Sequence, residues 1–195
     1  MTDTPLILAF DTSGPAVAAA LLRGPDVLAV VCEDMKRGQA ERLMPLLEEL
    51  LAEAGVTWQA LDAIGVGIGP GNFTGIRISV SCARGLALGL GIPAVGVSTF
   101  EALSRDHPSP HIAAVPAPRD QFYVVSPDME APALLKAPLD TKLPVHMPPP
   151  ADRLVENIAR CAATRHGSDI PRPAPLYIKP ADAAPPRDPA PVILE

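Results

Sequence analysis

The chain has 195 residues, 48% of them hydrophobic, and its 16 Lys plus Arg against 22 Asp plus Glu give a formal charge of −6. That length supplies core enough for one or two small domains, while the acidic balance and only seven aromatic residues argue against a stand-alone nucleic-acid binder, whose affinity would come from clustered cations on phosphates. No apolar run approaches the roughly 18 to 20 residues of a membrane span, the stretch Met1–Phe10 lacks a basic n-region, and Cys32, Cys82 and Cys161 are too scattered for a disulfide framework, so the expectation is a cytoplasmic chain with three reduced, mostly buried thiols.

Three short apolar runs come first: Leu6–Phe10, Ala16–Leu22 and Val27–Cys32. They are separated by turn-forming stretches around Gly14-Pro15 and Gly24-Pro25, and they predict an antiparallel meander. Ala40, Leu43, Met44, Leu47, Leu50, Leu51 and Ala54 then recur at helical spacing up to Gly55, with Pro45 predicting a late start or a kink. A strand is expected near Ala63–Ile68, followed by the glycine-rich turn Gly69–Gly75. A second helix from about Ile76 to Leu90 is stopped by Gly91 and Pro93, and Ala94–Val97 reads as a further strand.

Beyond residue 107 the character changes, because 19 of the 25 prolines lie between Pro108 and Pro191. Each removes an amide donor and fixes φ, which leaves room for few long elements. Ile112–Val115 and Phe122–Val125 suggest a strand pair, and Ala151–Thr164 a helix behind the stiff spacer Pro148-Pro149-Pro150. The stretch Ile170–Glu195, with eight prolines, is expected to dock in extended form or to fray. The organisation expected is an N-terminal α/β lobe over 1–105 and a reduced second lobe over 106–195.

Two segments carry candidate chemistry. In the loop Gly69-Pro70-Gly71-Asn72-Phe73-Thr74-Gly75 a strand turns into a helix, so backbone amides and a helix N-terminus could meet an anion there. It lacks both the Lys-Ser/Thr ending of a P-loop and the spacing of a dinucleotide motif, and a structural role in setting the strand-to-helix angle is the competing reading. Asp11-Thr12-Ser13 ends the first strand with a carboxylate and two hydroxyls that could serve a nucleotide and its cation, or could simply organise the turn. Asp11, Thr12, Ser13, Gly69, Gly71, Asn72, Thr74 and Gly75 are therefore the candidate anion or nucleotide contacts. His107 and His111 form HxxxH, but Pro108 and Pro110 disfavour the helix that would give this spacing a metal-binding meaning.

Taken in order, Ile7-Leu8-Ala9-Phe10-Asp11-Thr12-Ser13, Glu41-Arg42-Leu43-Met44-Pro45-Leu46-Leu47, Gly69 through Arg77, and Gly96-Val97-Ser98-Thr99-Phe100 resemble the TsaB (YeaZ) family of the actin/Hsp70/sugar-kinase (ASKHA) superfamily. Pro175-Leu176-Tyr177-Ile178-Lys179 resembles that family's closing segment. The resemblance implies an α/β ASKHA fold and a role in making the tRNA base threonylcarbamoyladenosine. In that role the chain would be a partner of the TsaD-type transferase, joined by a TsaE-type ATPase, with no cofactor or metal of its own, no membrane, and tRNA reached only through the complex. TsaD-type enzymes place two metal-binding histidines in an Asn-His-x-Glu-Gly-His stretch, and the matching positions here are Thr99 and Leu103, which cannot replace imidazoles. The expectation is a catalytically inactive paralogue, with an actin-like ATPase or transferase using the Asp11 hairpin and the Gly69–Gly75 loop, or a homodimeric scaffold of other purpose, as the alternatives.

The second helix carries more apolar surface than one core can use. Ile76, Val80, Ala83, Leu86, Ala87 and Leu90 make one stripe suited to a sheet, yet the other side holds Ile78, Ser81, Cys82, Gly85, Leu88 and Gly89 where a surface helix should be charged. Either the first helix, whose Leu46 widens its apolar face, covers this side, or a partner does. The resemblance implies a helical-bundle interface with TsaD, which the chain alone can use to form a self-dimer.

Overall fold

The computed structural model describes residues 4–137, 139, 141–167 and 170–178. Strands β1 (Leu6–Asp11), β2 (Ala16–Arg23) and β3 (Asp26–Asp34) form the antiparallel meander, and β4 (Ala63–Gly67) and β5 (Ala94–Val97) join it in parallel, giving the order β3-β2-β1-β4-β5. Every residue of β1 is buried, because β1 is central and covered on both faces, which is why it reads as one unbroken apolar run. Its alternation sends Leu6, Leu8 and Phe10 into a core shared with α1 (Gln39–Glu53) and α2 (Phe73–Leu90), and Ile7 and Ala9 into a second core. Each large side chain fully withdrawn from water contributes about 1.5–3 kcal/mol.

That second core is closed by α4 (Ala151–Ala163), which buries Leu154, Val155, Ile158, Ala159 and Ala162. The facing strand positions Ala9, Ala18 and Ala20 are small, and this lets α4 lie close on β1, β2 and β4. The proline-rich half thus contributes a helix to the first sheet. It also forms a sheet of its own from β6 (Ile112–Ala117), β7 (Gln121–Val125), β8 (Ala133–Lys136) and β9 (Val145–His146), in the order β8-β7-β6-β9. The first sheet, three strands antiparallel and two parallel with helices on both faces, is the mixed α/β layer expected of the ASKHA fold.

Several expectations need correction. The first helix starts at Gln39, well before Pro45, so the late start is absent and the proline sits inside the helix. The second helix begins at Phe73 rather than Ile76, because the Asn72 side chain caps it by accepting from the Gly75 amide at 2.8 Å. A short helix, α3 (Thr99–Ser104), follows β5 and is capped by Ser98, whose hydroxyl accepts from the Glu101 amide at 3.1 Å. Cys161 is buried and Cys82 partly so, but Cys32 is exposed, on the edge strand β3. Of the expected C-terminal stretch, Ile170–Ile178 is described and residues 179–195 lie outside the described residues; Leu176 donates its amide to the Ile68 carbonyl at 2.8 Å.

Candidate functional site

The candidate residues Asp11, Thr12 and Ser13 stand at the end of β1 and meet the loop Gly69–Gly75 at the mouth of a cleft between the two sheets. Thr12 Oγ1 donates to the Gly75 carbonyl at 2.6 Å, and the Asn72 amide donates to the Ser13 carbonyl at 2.7 Å. A β-carbon on Gly75 would lie 1.9 Å from the Thr12 carbonyl oxygen, and one on Gly71 would lie 2.7 Å from that of Ser13. Glycine is required at both places for backbone to meet backbone, which is the structural role weighed against anion binding. The loop also consumes its own donors: the Asn72, Gly75 and Ile76 amides are all bonded within the protein.

The cleft encloses about 1030 Å³ and is bordered by Asp11, Ser13, Asn72 and Thr99 on one side and by Val115–Pro118, Tyr123 and Pro148–Pro150 on the other. Its charged lining residues are Asp11, Asp34 and Asp152, with no Lys, Arg or His among the described lining residues. Asp11 is only 7% exposed. Burial pushes its carboxyl above the usual range, while the hydrogen bond from Ser13, at 2.8 Å, pulls it partly back. The other oxygen, Oδ1, has no partner and lies over Gly67. Such a lining repels a phosphate chain unless a cation comes with it.

Thr99 also faces this cleft, but its hydroxyl is spent on the Pro70 carbonyl at 3.1 Å, and its amide donates to the Gly69 carbonyl at 2.8 Å. Leu103 points away into a core with Phe100, Ala113 and Val115. Thr99 is therefore a satisfied hydroxyl and Leu103 a packing group.

Among the described residues, nothing covers the far side of α2 along the row Ser81, Gly85, Gly89. Ser81, Gly85, Leu88 and Gly89 are exposed, Leu88 at 82%, and a β-carbon built on Gly85 or Gly89 meets nothing within 4 Å. Ile78 and Cys82 are half-buried at the margin nearest α1. The Cys82 thiol, pushed up to about 11 by burial, lies 3.5 Å from the Met44 sulfur. Leu46, expected on this face, is 1% exposed and belongs to the sheet-facing core of α1; Met44, at 36%, is the α1 residue at the surface. Met44 and Leu46 are two residues apart, about 200° around the helix, so they lie on nearly opposite sides of it. At the start of α2 the Arg77 guanidinium lies 3.9 Å over the Phe73 ring, and its Nε donates to the Tyr177 hydroxyl at 2.9 Å. Tyr177 stacks on Phe73 at 4.7 Å between centroids. No described helix is long and apolar enough to cross a membrane.

Comparison with known proteins agrees with this architecture. The family model described as "TsaD: tRNA N6-adenosine threonylcarbamoyltransferase" matches residues 28–140. An uncharacterized protein of Mycobacterium tuberculosis is 32% identical over 92% of this chain and 94% of its own length. The tRNA threonylcarbamoyladenosine biosynthesis protein TsaB of Bacillus subtilis is 41% identical over 51% of this chain, and the match spans 44% of that protein, so the likeness to it covers less than half its length. Among solved structures, YeaZ from Pseudomonas aeruginosa superposes with a TM-score of 0.66 at 25% identity, covering 89% of this chain and 99% of that one. With the ASKHA sheet order, the ordered motifs and these matches together, the chain belongs to the TsaB (YeaZ) family, within the wider group that the TsaD model describes.

Proposed function

We propose that this chain is a non-catalytic partner subunit that supports a TsaD-type threonylcarbamoyltransferase in forming threonylcarbamoyladenosine on tRNA. The relatives that carry the TsaB name are proteins of that biosynthesis. The observation that carries the partner role is the uncovered ridge on α2, where Ser81, Gly85 and Gly89 leave the backbone bare beside an exposed Leu88. A surface helix that offers no side-chain bulk along one row lets a second helix approach closely and pack its own i±4 row against it. Ile78, Cys82 and Met44 extend the apolar border of that row.

A catalytic role draws no support from Thr99 and Leu103, for the reasons given above. The alternative of an actin-like ATPase rests on the Asp11 hairpin and the Gly69–Gly75 loop. The lining of the cleft weighs against it, because three carboxylates face the space and the loop amides are largely engaged. The deciding experiment is co-purification with the TsaD homologue of the same organism, followed by a modification assay with and without this chain. A stable complex and loss of modified tRNA without this chain support the proposal. No complex, together with ATP binding and hydrolysis by the isolated chain, overturns it in favour of the ATPase.

A further inference from the structure

Three of the chain's four histidines come together at the edge of the second sheet, with His146 brought from a part of the chain remote from His107 and His111. His107 lies in the turn after α3, His111 immediately precedes β6, and His146 is the last residue of β9. The His107 and His146 rings are stacked face to face, with centroids 3.6 Å apart and planes 6° from parallel. His111 stands edge-on to both, at 6.0 Å from His107 and 5.6 Å from His146. This stacking suits neutral imidazoles and is a poor arrangement for charged ones, because two imidazolium rings at that separation repel through little intervening solvent.

The strand these rings hold has little else to keep it in place. β9 is two residues long, and it pairs with β6 only at Ile112↔Val145 and Ala113↔His146. The Ile112 amide adds one bond to the Pro144 carbonyl, at 2.9 Å. Directly after β9 the chain runs into Pro148–Pro150, which forms one wall of the cleft and leads to the first turn of α4. A change in the seating of β9 therefore reaches the cleft through a stiff connection.

We propose that His107, His111 and His146 form an acid-sensitive staple, in which the stacked rings seat β9 against β6 and release it, with the Pro148–Pro150 wall, when His146 takes up a proton.

The carboxylate that acts on His107 is its neighbour Asp106, and the ionisable groups that act on His146 are His107 and His111. Asp106 is already claimed by Arg153 of α4, at 2.7 Å, and by the Asn157 amide group, at 2.7 Å. His111 has both nitrogens engaged, Nδ1 with the Pro108 carbonyl at 3.0 Å and Nε2 with the Ser104 hydroxyl at 2.9 Å. The carbonyl can only accept, so Nδ1 carries the proton and Nε2 of the neutral ring accepts from Ser104. Desolvation, then the nearness of His107 and His111, hold the His146 imidazole below its ordinary value. The sign follows: the seated form binds fewer protons than the released form, so seating is complete above the ordinary histidine range and weakens as pH falls through it.

The test uses the full chain and amide hydrogen exchange at Ile112, corrected for the intrinsic pH dependence of exchange. Protection is expected to fall about tenfold or more between about pH 7.5 and about pH 5, following protonation of the histidines seen by NMR. In His146→Gln and His107→Gln the protection at Ile112 should no longer depend on pH over that range. Equal protection at both pH values in the unaltered protein overturns the proposal even if a variant fails to fold. A pH-dependent loss that persists unchanged in both variants overturns it as well, since the titrating group would then lie elsewhere.

Discussion

Thr12 and Gly75 touch more closely than any side chain would permit: the Thr12 hydroxyl donates to the Gly75 carbonyl at 2.6 Å, and a methyl on Gly75 would stand 1.9 Å from the Thr12 carbonyl oxygen. The end of β1 and the first turn of α2 are locked together there, and the orientation of the whole α2 surface depends on that lock.

Gly75→Ala is expected to destabilise the fold by about 1–3 kcal/mol, the usual cost of forcing extra volume into a packed contact. The obstructing atom is backbone, so it cannot swing aside. Denaturant unfolding monitored by circular dichroism measures the loss. An unchanged midpoint would show that the loop shifts freely and that the lock does not set the position of α2.

Asp11→Asn should stabilise the protein at neutral pH. Burial raises the Asp11 carboxyl above its unfolded value, so the folded state pays for ionisation, and that cost appears only as pH rises above the unfolded carboxylate range. Asn keeps an oxygen to accept from Ser13 without the charge. The variant should therefore melt at a higher temperature at about pH 7 and show no advantage at about pH 3, where both forms are neutral. A variant that is less stable at neutral pH would mean the carboxylate is needed, as for a bound cation.

Arg153, Arg160 and Arg165, the arginines of the α4 segment, are each engaged within the protein. Arg153 pairs with Asp106 and Glu156, Arg160 lies 3.9 Å from Glu156 and donates to the Pro25 carbonyl, and Arg165 pairs with Glu101 at 3.0 Å. Replacing Arg160 and Arg165 by Gln should leave the salt dependence of tRNA binding by the partner complex unchanged. Were these side chains on phosphates, the slope would shrink by about 1 for each one removed.

Much of this architecture was legible in the residues. The full burial of β1 and the apolar periods of α1 and α2 reflect the covering of each element by its neighbours, and that is a property of pattern. What escaped was set by single side chains or by distant parts of the chain. The early start of α2 depends on Asn72 acting as a cap, and α3 on the Ser98–Glu101 pair, both short signals inside a stretch read for its glycines. β8 and β9 are too short to carry a period, and β9 gains its place from β6 and from histidines remote in sequence. The Asp11–Thr12–Ser13 turn and the glycine loop, two separate candidates in the sequence, meet in the structure. The sequence held no sign, however, that Asp34 and Asp152 would face the same space and make it acidic. Leu46 was expected at the surface because Leu43, Met44, Leu46 and Leu47 make the apolar side of α1 too broad for the pattern to say which of them lies at its edge.

The account depends most on the bare row of α2. The decisive measurement is the affinity of Gly85→Arg and Gly89→Leu for the TsaD homologue, read beside their circular dichroism and mass in solution. Because a β-carbon at either position meets nothing within 4 Å among the described residues, both variants are expected to fold as stable monomers, and both should lose the self-dimer and the TsaD complex. Folded variants that bind TsaD as tightly as the unaltered chain would contradict the account and place the partner elsewhere.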